Sequence, residues 1–425
     1  MLEVSEIAVL KKQLNSVVIA PPSKAITLRA LFIAALAKGK SIIKKPLIAE
    51  DQKHAINALK QLGVKVNVLP NSIEVIGVDG KPTLPSQKIF LGNSGVSMRF
   101  LASIVALCPE GKIVLDGDAR MKERPIQDLL DALKPLGISS NSLNNNGCPP
   151  VEIECGKFSG GRTWIKGELS SQFFSSLLIS GVYCQKGIEL HCIGSMSSKP
   201  YIDLTIDCMK SFGVKAENEK YSLLTVQPGQ KFEGKTYAIE GDYSSASYFF
   251  AAAAINGGKV VVRNLNPKSL QGDKRFLNTL TKMGCKVRFG KDFVELKGPK
   301  DLKAINVDMN EMPDLVPTLA VIAAFAKGKT IIHNIAHLVA KESNRIEAPA
   351  IELQKMGIKA IAEKDSLIVF GGKPHGAEIE TYNDHRMAMS FAIAGLKVEG
   401  IKIKNPDCVN KSFPEFWKEL EKLKK

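Results

Sequence analysis

Arg29, Arg99, Arg120, Arg124, Arg345 and Arg386 carry the chemistry that is hardest to replace in this sequence. Of its 58 basic residues only ten are Arg, so Lys serves wherever positive charge alone suffices. Arg is then kept where a planar fork is needed, as in paired hydrogen bonds to a carboxylate or phosphate. Taken singly, each also fits an ordinary surface charge. Their company changes the reading. Polar clusters surround them: SKAITLR, GNSGVSMR, SSQ, YSSAS, MPDLVP and NDHRM form one set, and AED, DARMKERP, MSSKPY, SLQGD, AKESNR and NKSFP a second. A net charge of +15 likewise calls for an anionic partner, either a nucleic acid or a small acidic substrate.

The elements that position these clusters repeat along the chain. A helical pattern ends in an apolar residue, Gly and a small or branched residue at Leu62–Val64, Leu136–Ile138, Phe212–Val214, Met283–Cys285 and Met356–Ile358. The glycines at 63, 137, 213, 284 and 357 are 74, 76, 71 and 73 residues apart, and WKELEKLKK closes the chain at a matching distance. Gly just past an amphipathic helix predicts a C-cap that leads into a strand. Each unit orders its parts alike: an Ala-rich apolar helix such as LRALFIAALAKG, a Gly turn, a β-branched strand, an amphipathic helix, then one or two strands. Six such α/β units predict two domains of three. The first set of clusters precedes the apolar helices and the second set the amphipathic ones. Helix N-termini carry free N–H groups and partial positive charge, so six units aimed at one cleft would make a polyanion site. Any single cluster also reads as a simple N-cap.

Several function classes lose support. GKS at Gly39–Ser41 and GKT at Gly328–Thr330 resemble the tail of a phosphate-binding loop, but each follows a helix and enters a strand, the reverse of the required order. There is no GxGxxG. The eight cysteines form no CxxC pair, and no His cluster has metal-ligand spacing, so the expectation is reduced thiols and no metal. The longest apolar stretches are too short to span a bilayer, and the N-terminus lacks a leader pattern. A cytoplasmic monomer with no membrane contact is expected. Nucleic-acid binding would call for exposed aromatics beside basic stripes, whereas aromatics make up 6% and sit mostly in apolar helices.

Read in order, PPSKAITLRA, LGNSGVSMR, ARMKERPI, SSQF, SKPYIDLT, EGDYSSASYF, QGD, DMNEMPDLVPT, AKESNRIEA, YNDHRMAM and NKSFPEF resemble the 5-enolpyruvylshikimate-3-phosphate synthases. The likeness runs in one register from about Pro22 to the chain end, and SKPYID, KESNR and NDHRMAM together are highly specific. The resemblance implies an α/β fold of two similar domains, each of three βαβαββ units, an inside-out α/β barrel. Residues 1–21 would join 241–425 in one domain and 22–240 would form the other, with the active site in the cleft between them. The implied reaction moves the enolpyruvyl group of phosphoenolpyruvate to the 5-hydroxyl of shikimate 3-phosphate by addition and elimination. It needs cations for a phosphate and two carboxylates, a base and an acid, and no cofactor.

By the same resemblance, phosphoenolpyruvate would be held by Lys24, Arg120, Gln172, Arg345, Arg386 and Lys411, with the Gly95 backbone against it. Shikimate 3-phosphate would meet Ser170, Ser171 and Ser198 at its phosphate, with Lys341 assisting. Arg29 would take its carboxylate, and Gln172 and Tyr201 would flank the ring. Lys24, Ala25, Asp314 and His337 complete that set. Asp314 is the candidate base, Glu342 the candidate for proton delivery at C3, and Lys24 an alternative to it. Arg99 and Arg124 are the arginines expected to tie loop and helix together.

The sequence departs from the family pattern in places. Ala25 stands where the family usually has Ser, which removes one hydroxyl from the carboxylate site. Val96 and Phe100 replace Thr and Pro or Leu, and His337 occupies a position often held by Asn. Two rival readings share related folds. One is the sister transferase acting on UDP-N-acetylglucosamine, which typically carries a Cys before RPI, whereas this chain has DARMKERPI. The other is an RNA 3′-phosphate cyclase-like enzyme, for which an ATP-handling histidine lacks a supporting motif.

Overall fold

In the computed structural model, which describes residues 4–424, five repeat glycines explain the periodicity at once. Gly63, Gly137, Gly213, Gly284 and Gly357 all have left-handed φ, between 77° and 106°. A side chain there would crowd the next carbonyl, so Gly ends each amphipathic helix and turns the chain into a strand.

Among the described residues twelve α-helices alternate in character. In chain order they are α1 (Lys24–Leu36), α2 (Glu50–Gln61), α3 (Gly95–Ile104), α4 (Gln127–Leu133), α5 (Ser171–Gly181), α6 (Pro200–Ser211), α7 (Tyr243–Asn256), α8 (Phe276–Lys282), α9 (Val316–Ala323), α10 (Glu347–Lys355), α11 (His385–Gly395) and α12 (Phe416–Lys422). The odd-numbered helices are buried almost all round, α9 and α11 along their whole length. The even-numbered ones bury one stripe, as α2 does with Ala55, Ile56, Ala58 and Leu59. A helix apolar on every face is stable only as an inner layer. The core of each half is therefore made of helices, and the sheets lie outside them.

The chain divides into two compact units: one runs Pro22–Ile239, and the other joins the chain up to Pro21 with everything from Glu240 onward. Each has its own apolar core. In the first, α3 packs on α5 and α1 on α6; in the second, α11 packs on α7 and α9. Fully buried Leu28, Leu31, Phe32 and Ile33 on α1 contribute about 1.5–3 kcal/mol each by leaving water.

Among the described residues one sheet topology recurs six times. A strand pairs in parallel with a second, which pairs antiparallel with a third, as Gly161–Lys166, Ile188–Ile193 and Leu223–Val226 do. Five of these sheets add a fourth strand by a hairpin, here Glu217–Glu219. Two parallel edge strands come from far along the chain. Thr236–Ala238 pairs with Lys40–Lys44 and completes the first sheet of its unit. Asn15–Ile19 pairs with Lys259–Arg263, and Val4–Glu6 closes the sheet of Lys402–Lys404 and Glu378–Ile379. The α/β fold of paired three-repeat halves is thus the architecture present. Among the described residues no helix is long and apolar enough to cross a membrane.

Candidate active site

The expected site residues fall into two groups, one in each unit. In the unit Pro22–Ile239 they gather at the starts of α1, α3, α5 and α6. Lys24 opens α1, and its Nζ lies 3.3 Å from Asp51 Oδ2 at the start of α2. Gln52 Nε2 donates to the Lys24 carbonyl (3.3 Å), fixing the backbone that carries the amine. Asp51 and Gln52 belong to the AED cluster and its helix, so the signal for them was present.

Arg29 serves as a strut here. Its guanidinium is 1% exposed and donates through Nε to Thr205 Oγ1 (2.8 Å), through one terminal nitrogen to Ala25 O (3.0 Å) and through the other to Tyr201 O (3.1 Å). The Phe100 and Tyr201 rings each lie 5.6 Å from it. Burial pulls its pKa down to about 10, so it remains a cation. These bonds use three of its five N–H groups. Tyr201 helps to hold Arg29, and Ala25, where a hydroxyl is missing, contributes its carbonyl.

Ser170 caps α5 by accepting from Gln172 N (3.2 Å), and Ser171 is buried beside it. Ser198, also buried, has φ +58°, a left-handed turn at roughly 1 kcal/mol for a residue with a side chain. Its carbonyl accepts from Tyr201 N at 3.1 Å. Gly95 opens α3 under two arginines: a Cβ there would stand 2.5 Å from Arg99 NH1 and 2.6 Å from Arg124 NH2. Arg99 donates to Gly95 O and Pro125 O, which ties α3 to the loop after Arg124, and Arg124 donates to Asn93 O and Oδ1, which ties one loop to another. Arg120 reaches outward and pairs with Glu123 at 2.7 Å.

The second group is a buried ionic network. Asp314 sits in the short turn Pro313–Leu315 before α9. Its Oδ1 accepts from Arg345 NH1 (2.8 Å) and its Oδ2 from Arg386 NH2 (2.6 Å). Arg345 is also bound through Nε and NH2 to Asp384 (2.7 and 3.0 Å) and through NH2 to Glu342 (2.8 Å). Four of its five N–H groups are committed. Burial alone would lower its pKa, but Asp384, Glu342 and Asp314 outweigh that and push it above the ordinary value. Asp384 has a second task, capping α11 by accepting from Arg386 N at 2.9 Å. The sequence marks it only as a cap. Arg386 NH1 donates to the Tyr248 hydroxyl (3.2 Å), a contact that an Ala-rich apolar helix does not announce.

His337 is buried in the turn Ala336–Ala340, with Lys341 following it. Burial, and then Lys341, push its pKa down to about 3 against the pull of Asp314, so the ring is neutral. Its Nε2 is buried without a partner. Lys411, also buried, ends the turn Pro406–Lys411 before α12. This group thus has two arginines sharing one carboxylate, Asp314, with Glu342 and Asp384 also bound to Arg345.

The family model of EPSP synthase (3-phosphoshikimate 1-carboxyvinyltransferase) matches residues 10–420. The chain belongs to the EPSP synthase family. As a member it is a carboxyvinyl transferase of aromatic amino-acid biosynthesis. The 3-phosphoshikimate 1-carboxyvinyltransferase of Methanoculleus marisnigri is 44% identical over 402 residues, covering 94% of this chain and 95% of that one. That of Nostoc punctiforme is 40% identical over 414 residues, 97% of both. Among solved structures, EPSP synthase from Acinetobacter baumannii superposes with a TM-score of 0.81 at 27% identity, covering 99% of this chain and 98% of that one.

Proposed function

We propose that the transfer runs from phosphoenolpyruvate to the 5-hydroxyl of shikimate 3-phosphate, with residues of both groups serving the substrates. The observation that carries the reading is Asp314 held jointly by Arg345 and Arg386. When the anionic groups of phosphoenolpyruvate take those arginines, with Lys24, Arg120, Gln172, Lys411 and the Gly95 backbone, Asp314 loses two neighbouring cations. A carboxylate so released is a stronger base.

Asp314 then takes the hydroxyl proton as the oxygen adds to C2, and Glu342 or Lys24 delivers a proton to C3. In the second step a C3 proton returns to the protein, the C2–phosphate bond breaks, and the double bond is restored. Ser170, Ser171, Ser198 and Lys341 hold the acceptor's phosphate, Arg29 its carboxylate, and Tyr201 and His337 its ring. Working as a monomer in the cytoplasm completes the reading; light scattering checks the first point.

A phosphate-release assay tests it. Phosphate should appear only with both substrates present, and UDP-N-acetylglucosamine should not replace the acceptor. Lys24→Met, Arg386→Ala and Asp314→Ala should each slow turnover by roughly 100-fold or more with circular dichroism unchanged. Near-normal turnover in all three would sink the site, and release without shikimate 3-phosphate would sink the acceptor.

A further inference from the structure

Tyr248 lies in the middle of α7, in the run Tyr248–Ala254 whose other members are Phe and Ala buried in the core. Phe249 and Phe250 show what packing alone asks for at this place. A hydroxyl in such surroundings costs free energy unless it is bonded. The partner of this one is Arg386 NH1, at 3.2 Å. The ring is fixed edge-on against Phe416 at 5.8 Å, so the oxygen is presented from a rigid base. Because α7 packs directly on α11, the contact spans two inner helices.

We propose that Tyr248 is a positioning residue for the transfer, an uncharged anchor that helps to keep Arg386 in place when Asp314 releases it. The proposal rests on the reading of Arg386 as a ligand of phosphoenolpyruvate. Both arginines of the network exchange Asp314 for the donor, and each needs a hold that does not exchange. Arg345 has one in Asp384, a fully buried carboxylate that offsets its charge. The Tyr248 phenol holds Arg386 without drawing on its charge, which stays available to the donor's anionic oxygens. Burial pushes this phenol up to about 12, with Arg386 and Arg345 pulling the other way and Asp314 adding to the rise, so it stays neutral at working pH.

Steady-state kinetics of Y248F, R386A and the double variant test this, since Phe keeps the ring and removes one hydrogen bond. Y248F should raise KM for phosphoenolpyruvate about three- to tenfold, leave KM for shikimate 3-phosphate within about twofold, and do so equally from about pH 6 to 9. In the R386A background the same change should have no further effect. Thermal melts show whether Y248F folds; if it does not, Y248M fills the space with a flexible apolar chain and is read the same way. An unchanged KM in Y248F beside a raised one in R386A overturns the anchor alone. An effect that persists without Arg386 also overturns it. An unchanged KM in R386A removes the donor-site reading, and the anchor with it.

Discussion

His337 holds an imidazole whose charge state the protein has already decided. Burial and Lys341 keep it neutral down to about pH 3, whereas in the unfolded chain it takes up a proton near pH 6.5. Between those values the unfolded state binds more protons, so stability falls as pH drops through that window, by at most about 1.4 kcal/mol per pH unit. Asn has no such proton to gain. H337N should therefore lose less thermal stability than the parent between about pH 6.5 and 4.5, and the two should run in parallel above about pH 7. Parallel curves throughout would show that the ring is not held neutral. The resemblance put this residue among the expected site residues, but its protonation depends on enclosure by the turn Ala336–Ala340, which no local pattern encodes.

At the scale of elements, the start of α7 shows how far sequence signals reach. The turn Ser269–Asp273 clamps it: Gln271 accepts from Tyr243 N and donates to Gly241 O, and Ser244 donates to Asp273 Oδ2. Asp273 is buried, and its other oxygen has no partner. Burial raises its carboxyl to about 7, with Asp314 and Asp242 adding to the rise and Arg386 and Ser244 opposing it. The folded chain thus keeps a proton that the unfolded chain loses near pH 4, and stability falls as pH rises from about 4 to about 7. D273N keeps the shape and never ionises. Its melting midpoint should gain on the parent's between pH 4.5 and 8, by an amount equivalent to a few kcal/mol at most. An equal difference at both pH values would mean that Asp273 does not titrate there. The YSSAS cluster marked this helix start and SLQGD that of α8, because turn residues and caps act locally, and the repeat glycines were legible for the same reason. The partners of Arg29 and Arg386 were not legible, since Thr205 and Tyr248 lie 176 and 138 residues away and read as ordinary core.

At the scale of the molecule, the two units differ in how their sheets are completed. The unit Pro22–Ile239 closes with its own chain, because Thr236–Ala238 supplies the edge of its first sheet. The other unit borrows Val4–Glu6 and Asn15–Ile19 from the opposite end of the sequence. The same N-terminal stretch also fills its core: Leu14 and Val18 are buried, and Ile7 packs where a Cβ on Gly395 of α11 would stand 2.5 Å away. Each of these side chains is worth about 1.5–3 kcal/mol, and folded domains have only 5–15 kcal/mol in total. A fragment spanning 22–239 should therefore fold alone with a cooperative melt. The fragment 240–425 should melt without cooperativity, because two sheets have open edges and α11, which carries Arg386, loses its cover. Adding a peptide of residues 1–21 should restore a sharp transition, its midpoint rising with peptide concentration. If 240–425 melts sharply alone and the peptide moves nothing, the borrowed strands are decoration, and the two units are equally self-sufficient.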